Sequence, residues 1–172
     1  TPKIDRLLFL TDCAFNMYPD LKEKIKIVKN AIVVAKSVGI EVPKVAPVCA
    51  VEVVNPKMQA TVDAAILSKM NDRGQIKGCI IDGPLAIDNA LSVEAAKIKK
   101  IDGEVAGKTD ILLMPSIDAG NIMYKTLGFT TDSVSGGILV GTSAPVILTS
   151  RADSHETKMN SIALAALVAN NK

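Results

Sequence analysis

Tryptophan is absent from this chain, aromatic residues make up 3% of it, histidine occurs once, and the three cysteines never form a CxxC pair. Each shortage removes a class of function. Few aromatics, with 20 Lys and Arg against 18 Asp and Glu for a net charge of +2, leave no basic, aromatic-bearing stretch of the kind that grips nucleic acid. Cys13, Cys49 and Cys79 are dispersed, which supports neither a disulfide framework nor a zinc site. Cys49 and Cys79 lie inside apolar runs and read as buried thiols in a reducing compartment. No apolar stretch reaches the roughly 18 to 20 residues that a membrane helix needs, and the first residues lack the apolar core of a signal peptide. The expectation is a cytoplasmic protein with no membrane partner. The chain opens on "TPKIDRLLFLTD" without a methionine, as it would after removal of a leading segment or partway along a longer protein.

What is present is a strong alternation. With 172 residues, 48% of them hydrophobic and 22% charged, the chain is long enough for one globular domain, or one domain and a piece of another. The runs "RLLFLT", "VAPVCAVEV", "KGCIID", "DILLMP", "GGILVG" and "PVILTS" read as strands separated by helical patterns. Such alternation predicts an α/β fold, a parallel-rich sheet layered between helices. Asp20 and Glu23 form a capping box ahead of a helix that Gly39 stops. Asn55 and Pro56 are expected to open a second helix, with proline at its first position, that runs to about Gly74. Ser92 caps a third and "AGNIMYKTLG" reads as a fourth. Asp153 with Glu156 supplies a capping box for the last, whose expected apolar face is Met159, Ile162, Ala163, Ala166 and Leu167.

Polar residues follow each apolar run: Thr11 and Asp12, Glu52, Asp82 with Gly83 and Pro84, Ser116 and Asp118, then Ser150 and Arg151. In open α/β sheets ligands bind beyond the carboxyl ends of the strands, so these residues are candidates to line a cleft; turns and helix caps use the same residue types. The stretch "DGEVAGKT" imitates a phosphate-binding loop and fails as one, because three residues rather than four separate Gly103 from Gly107 and Asp102 stands where the spacing would be restored. The GxSxG nucleophile elbow and the dinucleotide GxGxxG are absent. Ser154 and His155 are neighbours on a helix and do not face one another, which makes them a poor catalytic dyad. Asp12, Asp82 and Asp118 offer oxygen ligands from separate loops but no local metal motif. Arg151 precedes the last helix, where positive charge opposes the helix dipole unless an anion sits beside it. Either it anchors an anion, or it projects into water or pairs with Asp153.

Three blocks carry a family resemblance. "IKGCIIDGPLAIDNALS", "EVAGKTDILLMPSIDAGNIMYKTLG" and "ILVGTSAPVILTSRADSHETKMNSIALAAL", with "VEVVNPKMQATVDAA" ahead of them, resemble in order the C-terminal portion of the phosphate acetyl/butyryl transferases, and "TSRADS" with "IDGPLAIDNA" resembles the butyryl branch. The resemblance implies a two-domain α/β protein, similar in fold to the isocitrate and isopropylmalate dehydrogenases, with a cleft between its domains. It implies reversible exchange of phosphate for coenzyme A on a short acyl group, with acyl-coenzyme A and inorganic phosphate as substrates and no separate cofactor or metal. The chain would be a fragment: residues 1–145 the inserted domain, residues 146–172 the last strand and helix of the other, and an N-terminal portion elsewhere supplying phosphate-binding arginines. Homodimers or larger assemblies are expected.

The family's serine and arginine fall on Ser150 and Arg151, the first a donor to the carbonyl oxygen as charge develops, the second a grip on the phosphate. The thiol would attack directly in a ternary complex. Acetyl-type members carry an aspartate where this chain has Thr157; Glu156 is adjacent but about 100° away around the helix, which leaves the general base open. Asp118, Asn121, Tyr124 and Lys125 fall in the block that borders the coenzyme site. Two other readings stand beside this one: a noncatalytic acyl-coenzyme A-sensing and assembly module, as in malic enzyme fusions, and a metal-dependent decarboxylating dehydrogenase of related fold, favoured only by the strand-end aspartates.

Overall fold

The computed structural model describes residues 1 and 3–171. Pro2 and Lys172, which belong to the expected 1–145 and 146–172 segments, lie outside the described residues. Along the chain come β1 (Phe9–Thr11), α1 (Leu21–Ser37), β2 (Lys44–Pro47), α2 (Gln59–Asp72), β3 (Ile80–Ile81), α3 (Ile87–Leu91), α4 (Val93–Ile98), β4 (Ile111–Leu113), α5 (Ile117–Thr130) and α6 (His155–Asn170). The sheet has the order β1-β4-β2-β3 and every pairing in it is parallel. Leu112 stands opposite Leu10 of β1 on one side and Ala46 of β2 on the other, so β4 is interior.

Side chains alternate across the sheet and thereby build two cores. Ile111 and Leu113 join Val45 and Ile81 against Val28, Ala31, Ile32 and Ala35 of α1 and Leu67 of α2. Leu112 and Ala46 point the other way, into a core with Leu85, Ala90, Val105 and Met114 on which Ala119 and Met123 of α5 pack. Helices therefore cover both faces. α1 begins as expected: the Glu23 amide donates to Asp20 and the Asp20 amide to Glu23, at 2.8 and 2.9 Å.

Four of the expected strands form and two do not. "GGILVG" and "PVILTS" join no sheet and make with each other one antiparallel bridge, where Leu139 and Val146 exchange amide hydrogen bonds of 2.8 and 2.9 Å. A strand needs a partner with free amides and carbonyls, and Val146, Ile147 and Leu148 lie 46–53% exposed with no sheet beside them among the described residues. The second helix also starts later than expected. Asn55 accepts from the Lys57 amide through its side chain and from the Met58 amide through its carbonyl, a closed turn that holds Pro56 outside the helix.

The face of α6 differs too. Its buried residues are Ser161, Ala165 and Val168, whereas Met159, Ile162 and Leu167 are about half exposed. Small residues let α6 lie close on α1 while a strap, residues 135–137, crosses it: the Gly137 amide donates to Ser161 Oγ at 2.9 Å and Asn160 Nδ2 to the Ser135 carbonyl at 3.2 Å. These hydrogen bonds decide the orientation against the apolar pattern.

One buried ion pair ties α1 to α2. Lys24 Nζ meets Asp63 Oδ2 at 2.6 Å with both side chains less than a tenth exposed, and Gln59 Nε2 donates to the other carboxylate oxygen at 2.8 Å. Removing one partner leaves a buried charge uncompensated, so Asp63→Ala should cost about 3 to 5 kcal/mol. Lys24→Met combined with Asp63→Leu should regain most of that loss; urea denaturation of the two variants beside the parent measures both effects.

Candidate functional site

The loop after β1 is organised by one carboxylate. Asp12 accepts from the amides of Ala14, Phe15 and Asn16 at 2.8, 3.0 and 2.9 Å and from Asn16 Nδ2 at 2.6 Å. Burial pushes the Asp12 carboxyl up, but these donors outweigh it and hold the group below its ordinary value. The loop is then stitched to the start of α5: Ile117 donates its amide to Met17 at 2.9 Å, Tyr18 its hydroxyl to Asp118 at 2.8 Å, and Asn121 its side-chain amide to the Cys13 carbonyl at 3.1 Å. The hydrogen bond to Asp118 raises the Tyr18 hydroxyl above its ordinary pKa. A Cβ on Gly120 would stand 2.3 Å from the Asp12 carbonyl, so only glycine permits this approach. Ser116 caps α5 through the Ala119 amide at 3.4 Å.

Farther along α5, Tyr124 reaches the segment that precedes α6. Its hydroxyl donates to Asp153 Oδ1 at 3.2 Å, while Asp153 Oδ2 accepts the Ser150 amide at 2.6 Å and the Asp153 amide returns to the Ser150 carbonyl at 3.1 Å. Residues 150–153 thus form a turn closed from both ends. Within it the Ala152 amide donates to Ser150 Oγ at 3.3 Å. Burial and then the Asp153 charge raise the Tyr124 hydroxyl above its ordinary pKa. The cap of α6 is Ser154, whose Oγ accepts the Thr157 amide at 3.1 Å. The expected Asp153–Glu156 capping box is therefore replaced, because the Asp153 carboxylate is already held by Ser150 and Tyr124. Thr157 Oγ1 stands 3.1 Å from Ser154 Oγ and 3.4 Å from Ser135 Oγ.

The structure brings Ser150, Tyr124 and Asp153 together and uses Asp118 and Asn121 as joints to the β1 loop. Arg151, Lys125 and Glu156 are exposed, and their side chains have no hydrogen bond or ion pair among the described residues. Arg151 thus projects outward from its turn and does not pair with Asp153. Asp153, expected from the sequence to cap α6 or to pair with Arg151, instead serves Ser150 and Tyr124, a role not legible locally because Tyr124 lies on α5; the one local sign was a carboxylate three residues past Ser150. Elsewhere on the strand ends, Glu52 pairs with Lys99 at 3.4 Å and burial raises the Asp82 carboxyl. "DGEVAGKT" is a packing loop: Val105 and Ala106 are buried, and a Cβ on Gly107 would stand 2.5 Å from the Val93 nitrogen. No three His, Cys, Asp or Glu side chains gather to hold a metal among the described residues, and no described helix is long and apolar enough to cross a membrane.

A parallel sheet flanked by helices, with polar turns at one end, places the chain among the α/β proteins that present ligand-ready groups beyond their strands. Within that class, the chain belongs to the phosphate acetyl/butaryl transferase family, whose model matches residues 1–166. It is 75% identical, over all of its length, to the phosphate butyryltransferase of Clostridium acetobutylicum and covers 57% of that relative. It is 54% identical to the phosphate acetyltransferase of Thermotoga maritima, with 98% of this chain and 57% of the relative covered. A crystal structure of a branched-chain phosphotransacylase from Enterococcus faecalis superimposes with a TM-score of 0.84 at 41% identity, covering 93% of this chain and 57% of that one. The chain spans a little over half the length of the curated relatives it matches.

The cap assignment gives a direct test. Ser154→Ala should destabilise by about 1 kcal/mol, whereas Glu156→Ala should stay within about 0.5 kcal/mol of the parent, as thermal unfolding would register. The thiols give another. Burial and then the Asp12 charge push Cys13 up to about 12, and burial pushes Cys49 and Cys79 up to about 11. All three should react slowly with an aromatic disulfide reagent at pH 8 in the folded protein and rapidly after denaturation, because the thiolate is the reacting form.

Proposed function

We propose that the protein carrying this chain transfers a short acyl group, butyryl or acetyl, between coenzyme A and inorganic phosphate. The coenzyme thiol attacks the carbonyl carbon of the acyl phosphate in a ternary complex, the carbon–oxygen bond to phosphate breaks, and inorganic phosphate leaves. Ser150 donates its hydroxyl to the carbonyl oxygen as negative charge builds there, and Arg151 holds the phosphate dianion beside the N-terminal end of α6. The observation that carries this reading is the closed 150–153 turn, which presents an exposed Arg151 without an ion-pair partner among the described residues. A cation so placed, ahead of a helix whose dipole disfavours it, is suited to an anion that arrives as substrate.

In this reading Tyr124 and Lys125 border the coenzyme, with Asp118 and Asn121 shaping that border from their joints to the β1 loop. Glu156, an exposed carboxylate in the first turn of α6, is the candidate to accept the thiol proton, since the Thr157 hydroxyl is no base. Residues 1–145 form an inserted domain of the isocitrate and isopropylmalate dehydrogenase type, and residues 146–172 complete the other domain, whose remaining part brings further arginines to the phosphate. The half-exposed Val146, Ile147, Leu148, Met159, Ile162 and Leu167 support that arrangement, as does the coverage of the relatives. The assembled enzyme is a cytoplasmic homodimer or larger oligomer.

Assay of butyryl-coenzyme A with phosphate tests the reading, using the protein at its natural length and then residues 1–172 alone; turnover is expected from the first and little from the second. Turnover absent from the natural-length protein with both acetyl and butyryl substrates would defeat it. Arg151→Ala in the natural-length protein should lower the rate at least about a hundredfold, or about 2.7 kcal/mol of barrier, with Arg151→Lys intermediate because a point charge loses the planar fork. Thermal stability should scarcely change. Steady-state kinetics with phosphate and acyl-coenzyme A varied separately, beside a melting curve, check both halves of that expectation.

A further inference from the structure

Ser150 and Arg151 lie outside every helix and strand, so no backbone ladder holds them. Their geometry depends on side chains. Asp153 folds back on Ser150 through its carboxylate at 2.6 Å and through its amide at 3.1 Å, which fixes the peptide on either side of Ser150. Because Ser150 Oγ accepts from the Ala152 amide, its own hydrogen is left to donate outward. The second carboxylate oxygen of Asp153 takes the Tyr124 hydroxyl at 3.2 Å, and Tyr124 stands on α5, one turn beyond the Asn121 that holds the Cys13 carbonyl. The same helix is pressed on the Asp12 carbonyl at Gly120. A continuous series of contacts therefore runs from the end of β1 through α5 to the turn.

Resting on the transferase reading above, we infer that Asp153 is a positioning residue, held in place by the Tyr124 hydroxyl: it sets the Ser150 hydroxyl and the backbone from which Arg151 projects for acyl transfer, without itself touching substrate. The hydrogen bonds favour this role over that of thiol base, since both Asp153 oxygens are committed to donors within the protein. Positioning also has a distinct chemical signature. Asparagine at 153 keeps an oxygen for the Ser150 amide and turns its NH2 toward Tyr124, whose hydroxyl can accept instead of donate, so the charge is lost and the turn kept, whereas alanine loses the turn.

The test uses the natural-length protein, its Asp153→Ala, Asp153→Asn and Tyr124→Phe variants, and separate titrations of phosphate and butyryl-coenzyme A. Asp153→Ala is expected to lower kcat at least about thirtyfold and raise KM for phosphate several-fold, with KM for butyryl-coenzyme A little changed, since small misplacement of a catalytic group is costly. Asp153→Asn should recover to within about fivefold of the parent, and Tyr124→Phe should lose about three- to tenfold in kcat with an unchanged melting temperature. Parent-like kinetics in Asp153→Ala overturn the inference, and so does an Asp153→Asn protein as inactive as the alanine variant, which would mark Asp153 as a proton acceptor. Should Asp153→Ala fail to fold, Tyr124→Phe decides: parent-like kcat there, or a loss confined to KM for butyryl-coenzyme A, overturns the inference. A parent without turnover overturns the transferase reading itself, a result distinct from all of these.

Discussion

β4 enters the sheet between β1 and β2, two strands the chain has already laid down, and the rest of the molecule is arranged around that insertion. Ile111, Leu112 and Leu113 are fully buried, and each is paired on both sides. A parallel strand in this position needs apolar neighbours above and below, which is why helices cover both faces of so small a sheet. Ile111 and Leu113 bind the sheet to α1 and α2, and Leu112 binds it to the opposite layer. Without β4, β1 has no hydrogen-bonded neighbour in the sheet.

The same strand also aims the polar end of the molecule. Met114, Pro115 and Ser116 are all that separate β4 from α5, so the direction of α5 follows from that of the strand. Gly120 then allows α5 to press on the loop after β1, and Tyr124 extends the helix's influence to the 150–153 turn. The rigidity of the buried sheet thus reaches a stretch that has no regular structure of its own. The reactive-looking pair, Ser150 and Arg151, is held by a few well-formed hydrogen bonds between polar side chains and backbone, while Arg151 itself is left to solvent.

α6 shows how polar contacts can override an apolar pattern. Its two longest candidate anchors, Met159 and Ile162, face outward, while Ser161 is fully buried between the Gly137 amide and the Thr157 carbonyl. A buried hydroxyl with both a donor and an acceptor satisfied costs little, and through the Gly137 amide it ties the strap to α6. The outward apolar side chains of Met159, Ile162 and Leu167 are left about half exposed among the described residues.

Local chemistry was enough to read much of this from the residues alone. The alternation of apolar runs announced a parallel α/β sheet, Asp20 with Glu23 marked the start of α1, Ser92 that of α4, and the Ser-Arg pair stood out because a cation before a helix needs a reason. Each is an effect between residues a few positions apart. Tertiary structure alone decided that "GGILVG" and "PVILTS" would not be strands, because strand formation requires a partner that no local pattern reveals. It decided likewise which face of α6 is buried and that Asp153 serves the Ser150 turn rather than the helix cap. Asp153 is separated from Tyr124 by 29 positions in sequence, and only packing of α5 against the sheet brings that hydroxyl within hydrogen-bond distance.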